Sequence, residues 1–145
     1  MKVTSSSINL PEVKMKRVHV AVGVIINDEQ KILLAKRHSH LHQGGKWEFP
    51  GGKVENNETV TQALIRELKE EVNLDVYTSI SFLEIAHNYP DKHVLLDIHL
   101  VKEFDGSGEG LENQEIKWVE VSALPQYEFP EANIPIIKKL MSEII

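Results

Sequence analysis

Three glutamates, Glu67, Glu70 and Glu71, stand at spacings of three and four residues. On a helix their side chains emerge close together. Like charges at these spacings destabilise a helix by roughly 0.2–0.5 kcal/mol per pair, and a divalent cation shared between them reverses that cost. Carboxylate oxygens are the ligands that hard cations such as Mg²⁺ take. The triplet therefore indicates a cation site, and the plainer interpretation is a solvated helix face on which Arg66 and Glu70 form an ordinary ion pair.

The segment that carries the triplet has the pattern of an amphipathic helix. Thr59 can cap its N-terminus, and Gln62 follows three residues later, as a capping box requires. Apolar residues recur at three- and four-residue spacing and predict one buried stripe: Val60, Ala63, Leu64, Leu68 and Val72. We therefore predict a helix that starts after Thr59 and holds the glutamates at the edge of this stripe. The preceding pair, Gly51 and Gly52, provides a main chain that can approach a ligand closely.

Five further runs rich in β-branched and aromatic residues predict strands at 17–26, 31–37, 75–86, 93–104 and 116–121. We predict turns at 27–30 and 87–92, loops at 38–46 and 105–113, a helical turn at 122–125, a final helix at about 134–144, and brief strand pairing at 47–50. This order of strands and helices predicts an α/β fold. Residues 1–14 are predicted to be a flexible N-terminal extension and residues 15–145 a single domain.

Composition and charge exclude several classes of protein. The chain has 145 residues, a formal net charge of −6 and no cysteine. The acidic balance argues against a duplex-binding protein, and the lack of cysteine excludes disulfides and thiolate metal sites. No apolar run reaches membrane-spanning length, and no basic-then-apolar signal sequence opens the chain. We expect a cytoplasmic monomer or weak dimer that binds neither a membrane nor, stably, a nucleic acid.

Residues 51–74 match the Nudix box with one departure. The pattern is a glycine, a glutamate, an Arg-Glu pair followed by an apolar residue, a Glu-Glu pair, and a closing glycine followed by an apolar residue, all at fixed spacings. Its positions are held by Gly52, Glu58, Arg66, Glu67, Leu68, Glu70, Glu71, Asn73 and Leu74. Only Asn73 differs, since the family has glycine there, and asparagine is the non-glycine residue that best tolerates the left-handed conformation after a helix. The chain thus resembles the Nudix hydrolases, which implies an α/β/α sandwich around a mixed β-sheet.

The resemblance extends to the MutT-like subgroup, the 8-oxo-dGTP pyrophosphatases, from Met15 onward. The segments that carry it are 47–53, 89–93, 129–133 and 135–137, and those near the end of the chain are the most specific because they lie far from the shared box. The resemblance implies a Mg²⁺-dependent enzyme, for which Mn²⁺ can substitute. It would hydrolyse 8-oxo-dGTP to 8-oxo-dGMP and pyrophosphate, and so keep an oxidised nucleotide out of DNA replication and repair.

The resemblance also implies the residues around the metal. The metal ligands would be the carboxylates of Glu67, Glu70, Glu71 and Glu112 and the carbonyl oxygen of Gly51. Arg66 would orient the glutamates, and Lys53 would meet the phosphates as part of the catalytic set. The identity of the general base stays open among Glu70, Glu67 and Glu112.

For the substrate, the resemblance implies a second set of residues: Arg37, His42, Glu48, Phe49, Pro50, Gly51, Lys92 and Asn133. Arg37 would meet the phosphates, and His42 with the main chain of 48–51 would line the nucleotide site. Asn133 would read the base, and the alternative is that it caps the final helix. Lys92 stands where relatives can have arginine.

Three other interpretations remain open at this point. A Nudix hydrolase could act on a pyrimidine nucleotide, a dinucleoside polyphosphate or a thiamine diphosphate, because the box is common to all of these. The chain could instead be a non-catalytic module that recognises oxidised guanine. The histidines of the 38–46 loop, His38, His40 and His42, could form a zinc site, although a site of known type wants a fourth ligand.

Overall fold

The computed structural model describes residues 17–41 and 44–143. These residues form seven strands and two α-helices: β1 Arg17–Ile25, β2 Lys31–Lys36, β3 Trp47–Glu48, β4 Gly51–Lys53, α1 Val60–Val72, β5 Asp75–Tyr89, β6 Lys92–Asp105, β7 Ile116–Glu120 and α2 Ile134–Glu143. Two 3₁₀ segments, Val121–Gln126 and Glu131–Asn133, precede α2. The predicted extension, residues 1–14, lies outside the described residues, as does His42.

The strands form two sheets. The larger has the order β4-β1-β6-β5, and the smaller has the order β3-β2-β7. Strands β1 and β6 run parallel in register from Arg17↔His93 to Ile25↔Val101, and the other pairs are antiparallel. The larger sheet is therefore mixed, as the resemblance implies.

Two apolar cores cover opposite faces of the larger sheet. On one face α1 buries Ala63, Leu64, Leu68 and Val72 against residues of β1 and β6. On the other face α2 buries Ile136, Ile137 and Leu140 against the alternate residues of the same strands. Successive side chains of a strand point to opposite faces, so the near-continuous apolar run of β1 serves both cores. The helix–sheet–helix layering confirms the predicted sandwich.

The ends of α1 confirm the predicted caps. The hydroxyl oxygen of Thr59 accepts from the N–H of Gln62 at 3.1 Å, and the Gln62 side chain accepts from the N–H of Thr59 at 2.9 Å. Asn73 ends the helix in the left-handed conformation, with φ 56° and ψ 47°. The one departure from the Nudix box is thus accommodated in the conformation expected for it.

Two local predictions differ from the structure. The predicted turn at 87–92 is too wide, because β5 continues to Tyr89, β6 begins at Lys92, and only 90–91 form the turn. The sequence does not predict the short strand β4, because glycine has a low propensity for strands. Pairing with β1 stabilises this strand. Among the described residues, no helix is long and apolar enough to span a membrane.

Candidate active site

The glycine pair brings β4 against both β1 and α1. A Cβ on Gly51 would overlap with the carbonyl oxygen of Ala21 in β1. A Cβ on Gly52 would overlap with the carboxylate of Glu67 in α1. Both positions therefore need glycine for space, and the main chain at Gly52 closely approaches a carboxylate of the protein itself.

The main chain of β4 alternates between its two neighbours. Gly52 pairs with Ala21 of β1, and the N–H of Gly23 donates to Pro50 at 2.8 Å. The residue between two hydrogen-bonded partners of an antiparallel ladder turns its own N–H and C=O outward. Accordingly the N–H of Gly51 donates to Oε1 of Glu71 at 3.3 Å. The carbonyl of Gly51 lies on the same edge as Glu71, where the resemblance puts a metal ligand.

Arg66 joins the start of the box to its helix. Its Nε and Nη2 donate to the two carboxylate oxygens of Glu58 at 2.7 and 2.9 Å, and its Nη1 donates to Oε2 of Glu67 at 2.7 Å. Nη2 also donates to the carbonyl oxygen of Lys53 at 3.0 Å, whereas the distance from Nη1 to Glu70 is 3.6 Å. The strong pairs of Arg66 are thus Glu58 and Glu67, which supports an orienting role over a simple surface pair with Glu70.

These ion pairs shift the pKa values of the partners. The hydrogen bonds from Arg66 lower the pKa of Glu58 to about 2, and the same bonds raise the pKa of Arg66. For Glu67, burial outweighs the contact with Arg66, so its pKa is raised. Glu67 thus lies in a site that disfavours its negative charge even with an arginine beside it.

Glu71 is held in a still less favourable setting. Burial, followed by the charges of Glu48, Glu112 and Glu67, raises its pKa to about 9, although the N–H of Gly51 opposes the shift. None of the described residues forms a salt bridge with Glu71. A partly buried carboxylate among other carboxylates ionises readily only beside a cation. The donors here are all oxygen, the chemistry that Mg²⁺ and Mn²⁺ prefer, so the residues fit a hard divalent cation.

The predicted metal ligands are brought together only in part. Glu71, Glu112 and Gly51 line one cleft, whereas Glu67 lies behind Gly52 and Glu70 is at the outer edge with its side chain 58% exposed. In this conformation no three histidine, aspartate or glutamate side chains of the described ranges converge closely enough to hold an ion. The described part of the histidine loop, with its stacked rings of His38 and His40, likewise gives the zinc alternative no support.

The cleft has a volume of about 300 Å³. Nine residues of the predicted site line it: Arg37, Glu48, Phe49, Gly51, Lys53, Glu71, Lys92, Glu112 and Asn133. Four others do not line it: Pro50, Arg66, Glu67 and Glu70. The predicted set therefore divides into residues that line the cleft and residues outside it, of which Arg66 and Glu67 contact Lys53 and Gly52 of the cleft.

Inside the cleft, Arg37 and Glu48 form a short ion pair. Nη1 of Arg37 donates to Oε1 of Glu48 at 2.6 Å, with both side chains about three-quarters buried. Burial nevertheless raises the pKa of Glu48, because it outweighs the attraction of Arg37. This pair keeps a cation beside the carboxylates and orients the guanidinium toward the cavity that it lines.

The segment before α2 also lines the cleft, through Pro130, Ala132 and Asn133. The rings of Phe49 and Phe129 stack with centroids 5.3 Å apart. The N–H of Ala132 donates to the hydroxyl oxygen of Tyr89 at 2.9 Å, which fixes the main chain beside Asn133. Within the described part of the chain no hydrogen bond engages the side chain of Asn133, so the capping alternative gains no support.

Sequence reasoning missed several residues of the cleft. The Tyr89 hydroxyl accepts from the N–H of Ala132, next to Asn133, and the Gln114 side chain hydrogen-bonds to the main chains of Glu71 and Glu112. Apolar side chains of β1 and β6 form the floor: Val18, Val20, Val22, Val94 and Leu96. The alternation of β1 and β6 is visible in the sequence, but their parallel pairing, which brings these side chains together, is not.

Comparison with known proteins identifies the family. The model of the NUDIX domain matches residues 21–139. The chain therefore belongs to the Nudix family, and it is a Nudix pyrophosphohydrolase.

Within the family, the MutT-like resemblance is confirmed. The chain is 39% identical to the 8-oxo-dGTP diphosphatase of Escherichia coli (strain K12) over 126 residues, which are 87% of this chain and 98% of the relative. It is 35% identical to the CTP pyrophosphohydrolase of the same organism over 130 residues, 88% of this chain and 94% of the relative. A solved structure from a study of MutT from Aliivibrio salmonicida and Vibrio cholerae is 40% identical, with a TM-score of 0.78 over 88% of this chain and 99% of that one.

Proposed function

We propose that this protein hydrolyses 8-oxo-dGTP to 8-oxo-dGMP and pyrophosphate. The observation that carries the proposal is the position of Asn133. Asn133 lines the same cleft as Glu71, Glu112 and Gly51, and no hydrogen bond among the described residues engages its side-chain amide. One cavity thus offers a group that can read a base and a group of carboxylates suited to a metal-bound polyphosphate. The 8-oxo-dGTP diphosphatase of Escherichia coli, at 39% identity, supports the same substrate.

The base is selected by complementary hydrogen bonds. Oxidation at C8 of guanine turns N7 from an acceptor into an N–H donor, while O6 stays an acceptor. The amide of Asn133 offers one acceptor oxygen and one NH₂ donor, so it can accept from N7–H and donate to O6 together. Against ordinary guanine two acceptors would face each other, which costs roughly 1–3 kcal/mol, or about 5- to 150-fold in discrimination.

The phosphates are bound where positive and negative side chains meet. Glu71, Glu112, Glu67, Glu70 and the carbonyl oxygen of Gly51 would hold Mg²⁺ or Mn²⁺. The cation held there would supply neutralisation of the phosphate oxygens and a lowered pKa of bound water, which is the usual contribution of a metal to this kind of hydrolysis. Lys53, Lys92 and Arg37 line the same cleft and add positive charge where the phosphates lie.

The chain's own residues supply position and exclusion of water. Arg66 holds Glu67 against Gly52, so that its carboxylate keeps one orientation. The apolar floor of Val20, Val94 and Leu96 removes water from beneath the base, which strengthens the polar contacts at Asn133.

A second candidate substrate is a pyrimidine triphosphate. The CTP pyrophosphohydrolase of Escherichia coli, at 35% identity, favours it. An asparagine amide can also pair with the donor and acceptor edge of cytosine. The ring of Phe49, which lines the cleft, can contact either base, so the cleft alone does not separate the two.

The test is a panel of nucleoside triphosphates incubated with Mg²⁺, with the products separated by chromatography. The expected result is 8-oxo-dGMP and pyrophosphate in equal amounts, and no turnover in excess chelator until Mg²⁺ is restored. Orthophosphate together with a nucleoside diphosphate would overturn the assignment. Binding of the oxidised nucleotide without hydrolysis would show the non-catalytic module instead.

A further inference from the structure

The acidic loop, which we define as residues 106–115, is docked on the C-terminal end of α1. The N–H of Glu109 donates to the carbonyl oxygen of Val72 at 2.9 Å, and the N–H of Leu111 donates to that of Glu71 at 3.1 Å. The last carbonyls of a helix have no partner within the helix. The loop satisfies two of them, so its main chain is fixed relative to the helix that carries Glu67, Glu70 and Glu71.

One side chain of this loop bridges two predicted metal ligands. Nε2 of Gln114 donates to the carbonyl oxygen of Glu71 at 3.1 Å, and Oε1 of Gln114 accepts from the N–H of Glu112 at 2.8 Å. A carbonyl can only accept and an N–H can only donate, so the orientation of the amide is determined. His38 adds a third contact, since its Nε2 lies 3.0 Å from the carbonyl oxygen of Glu112.

The two hydrogen bonds of the Gln114 side chain oppose an electrostatic repulsion. Glu112 is close enough to Glu71 and Glu48 for its charge to act on both of them. A carboxylate is also disfavoured at the C-terminal end of a helix, where the partial charge is negative. When Glu71 and Glu112 are both ionised, as ligation of a cation requires, these terms would drive Glu112 away from Glu71 without a restraint. The Gln114 amide is the side chain that joins their main chains.

We propose that Gln114 is a positioning residue that holds Glu112 beside Glu71 and thereby sets the affinity of the site for its divalent cation. The inference rests on the proposed function only in that Glu71 and Glu112 are taken to bind the same cation. Gln114 has no direct contact with the reacting atoms, and its effect passes through Glu112. Residues that orient metal ligands typically change metal affinity by about 10- to 100-fold when they are replaced.

The test compares Gln114→Met with Leu111→Ala in the metal-free protein. Gln114→Met keeps the volume and removes both hydrogen bonds. Leu111→Ala truncates an exposed side chain of the same loop and leaves its main-chain bond to Glu71 in place. Mn²⁺ affinity is measured directly, by electron paramagnetic resonance or calorimetry, together with the thermal unfolding midpoint. The expected result is about 10-fold or weaker Mn²⁺ binding by Gln114→Met and wild-type binding by Leu111→Ala.

A double-mutant cycle with Glu112→Gln separates positioning from general support of the loop. If Gln114 acts through Glu112, Gln114→Met should weaken Mn²⁺ binding much less when Glu112→Gln is already present. Saturating Mg²⁺ should restore the kcat of Gln114→Met, with an unchanged KM for the nucleotide. If Gln114→Met folds poorly, Gln114→Asn is measured in its place. This variant keeps both polar groups on a shorter side chain, and its affinity for Mn²⁺ should be below that of the wild type.

Two results would overturn the proposal. One is wild-type Mn²⁺ affinity in Gln114→Met, and the other is an equal loss in Leu111→Ala or on the Glu112→Gln background. Because the binding measurement uses the metal alone, it is independent of the substrate. A wild-type protein that hydrolyses no nucleotide would overturn the proposed function, whereas the difference in Mn²⁺ affinity would still support the role of Gln114.

Discussion

The carboxylate of Glu67 occupies the space that a side chain on Gly52 would need. This relationship explains why the box requires glycine at a position whose backbone is ordinary extended strand. The requirement is steric, and it comes from α1, which also contacts β4 through Glu71 at Gly51 and through Arg66 at Lys53.

Gly52→Ala should therefore reduce activity more than stability. The added methyl group meets the flexible end of Glu67, which can move away and lose its position, so we expect kcat to fall by about 100-fold while the protein stays folded. Gly51→Ala is the matched comparison, because its methyl group meets the rigid carbonyl of Ala21 and should lower the thermal unfolding midpoint. Equal activity in Gly52→Ala and wild type would contradict the proposed role of Glu67.

Glu71→Gln keeps the volume of the side chain and removes its charge. Loss of charge stabilisation in the transition state typically costs two or more powers of ten in rate, and we expect that loss at saturating Mg²⁺. Glu109→Gln is the control, since it removes the same charge from an exposed position outside the cleft. Near wild-type turnover by Glu71→Gln, with Glu67→Gln and Glu70→Gln also active, would mean that the glutamates of the box have no catalytic role in this protein.

Glu58 predicts a pH dependence of stability. Its pKa in the folded protein is about 2, below the ordinary value of 4.5, because Arg66 hydrogen-bonds to the ionised form. A carboxyl group whose pKa is lowered by folding stabilises the folded protein at pH values above its pKa in the unfolded chain. This stabilisation is lost as the pH falls from about 4.5 to about 2. Glu58→Gln should thus unfold at a lower temperature than wild type at pH 7, and the difference should shrink to near zero at pH 2. A difference that is constant with pH would contradict the ion pair.

Much of this molecule could be predicted from local patterns. The capping residues Thr59 and Gln62, the apolar stripe of α1 and the αL position of Asn73 follow from rules that act over a few residues. What could not be predicted depends on distant pairing. The Gln114–Glu71 bond joins residues 43 positions apart, and Tyr89 reaches Ala132 across the same number. The position of Glu70 at an exposed edge also escaped the spacing argument, since spacing fixes which residues are neighbours on a helix but not which of them faces the cleft.

Asn133→Ser tests base recognition at one residue. Serine is too short to reach both base positions, so kcat/KM for 8-oxo-dGTP should fall by about 5- to 150-fold, and kcat/KM for dGTP should change little. Thermal unfolding is the control, because a purely structural role would lower the unfolding midpoint and both activities together. An equal loss for the two substrates would remove the best residue-level support for an oxidised base.

The central claim is that this cleft selects the oxidised purine, and a competition assay tests it most directly. The wild-type enzyme is given 8-oxo-dGTP, dGTP and CTP together at equal concentration with Mg²⁺, and the three monophosphates are followed by chromatography, which yields the ratios of kcat/KM. We predict that 8-oxo-dGMP forms first, with a kcat/KM about 10-fold or more above that of either competitor. Faster formation of CMP, or equal rates for 8-oxo-dGTP and dGTP, would contradict the claim.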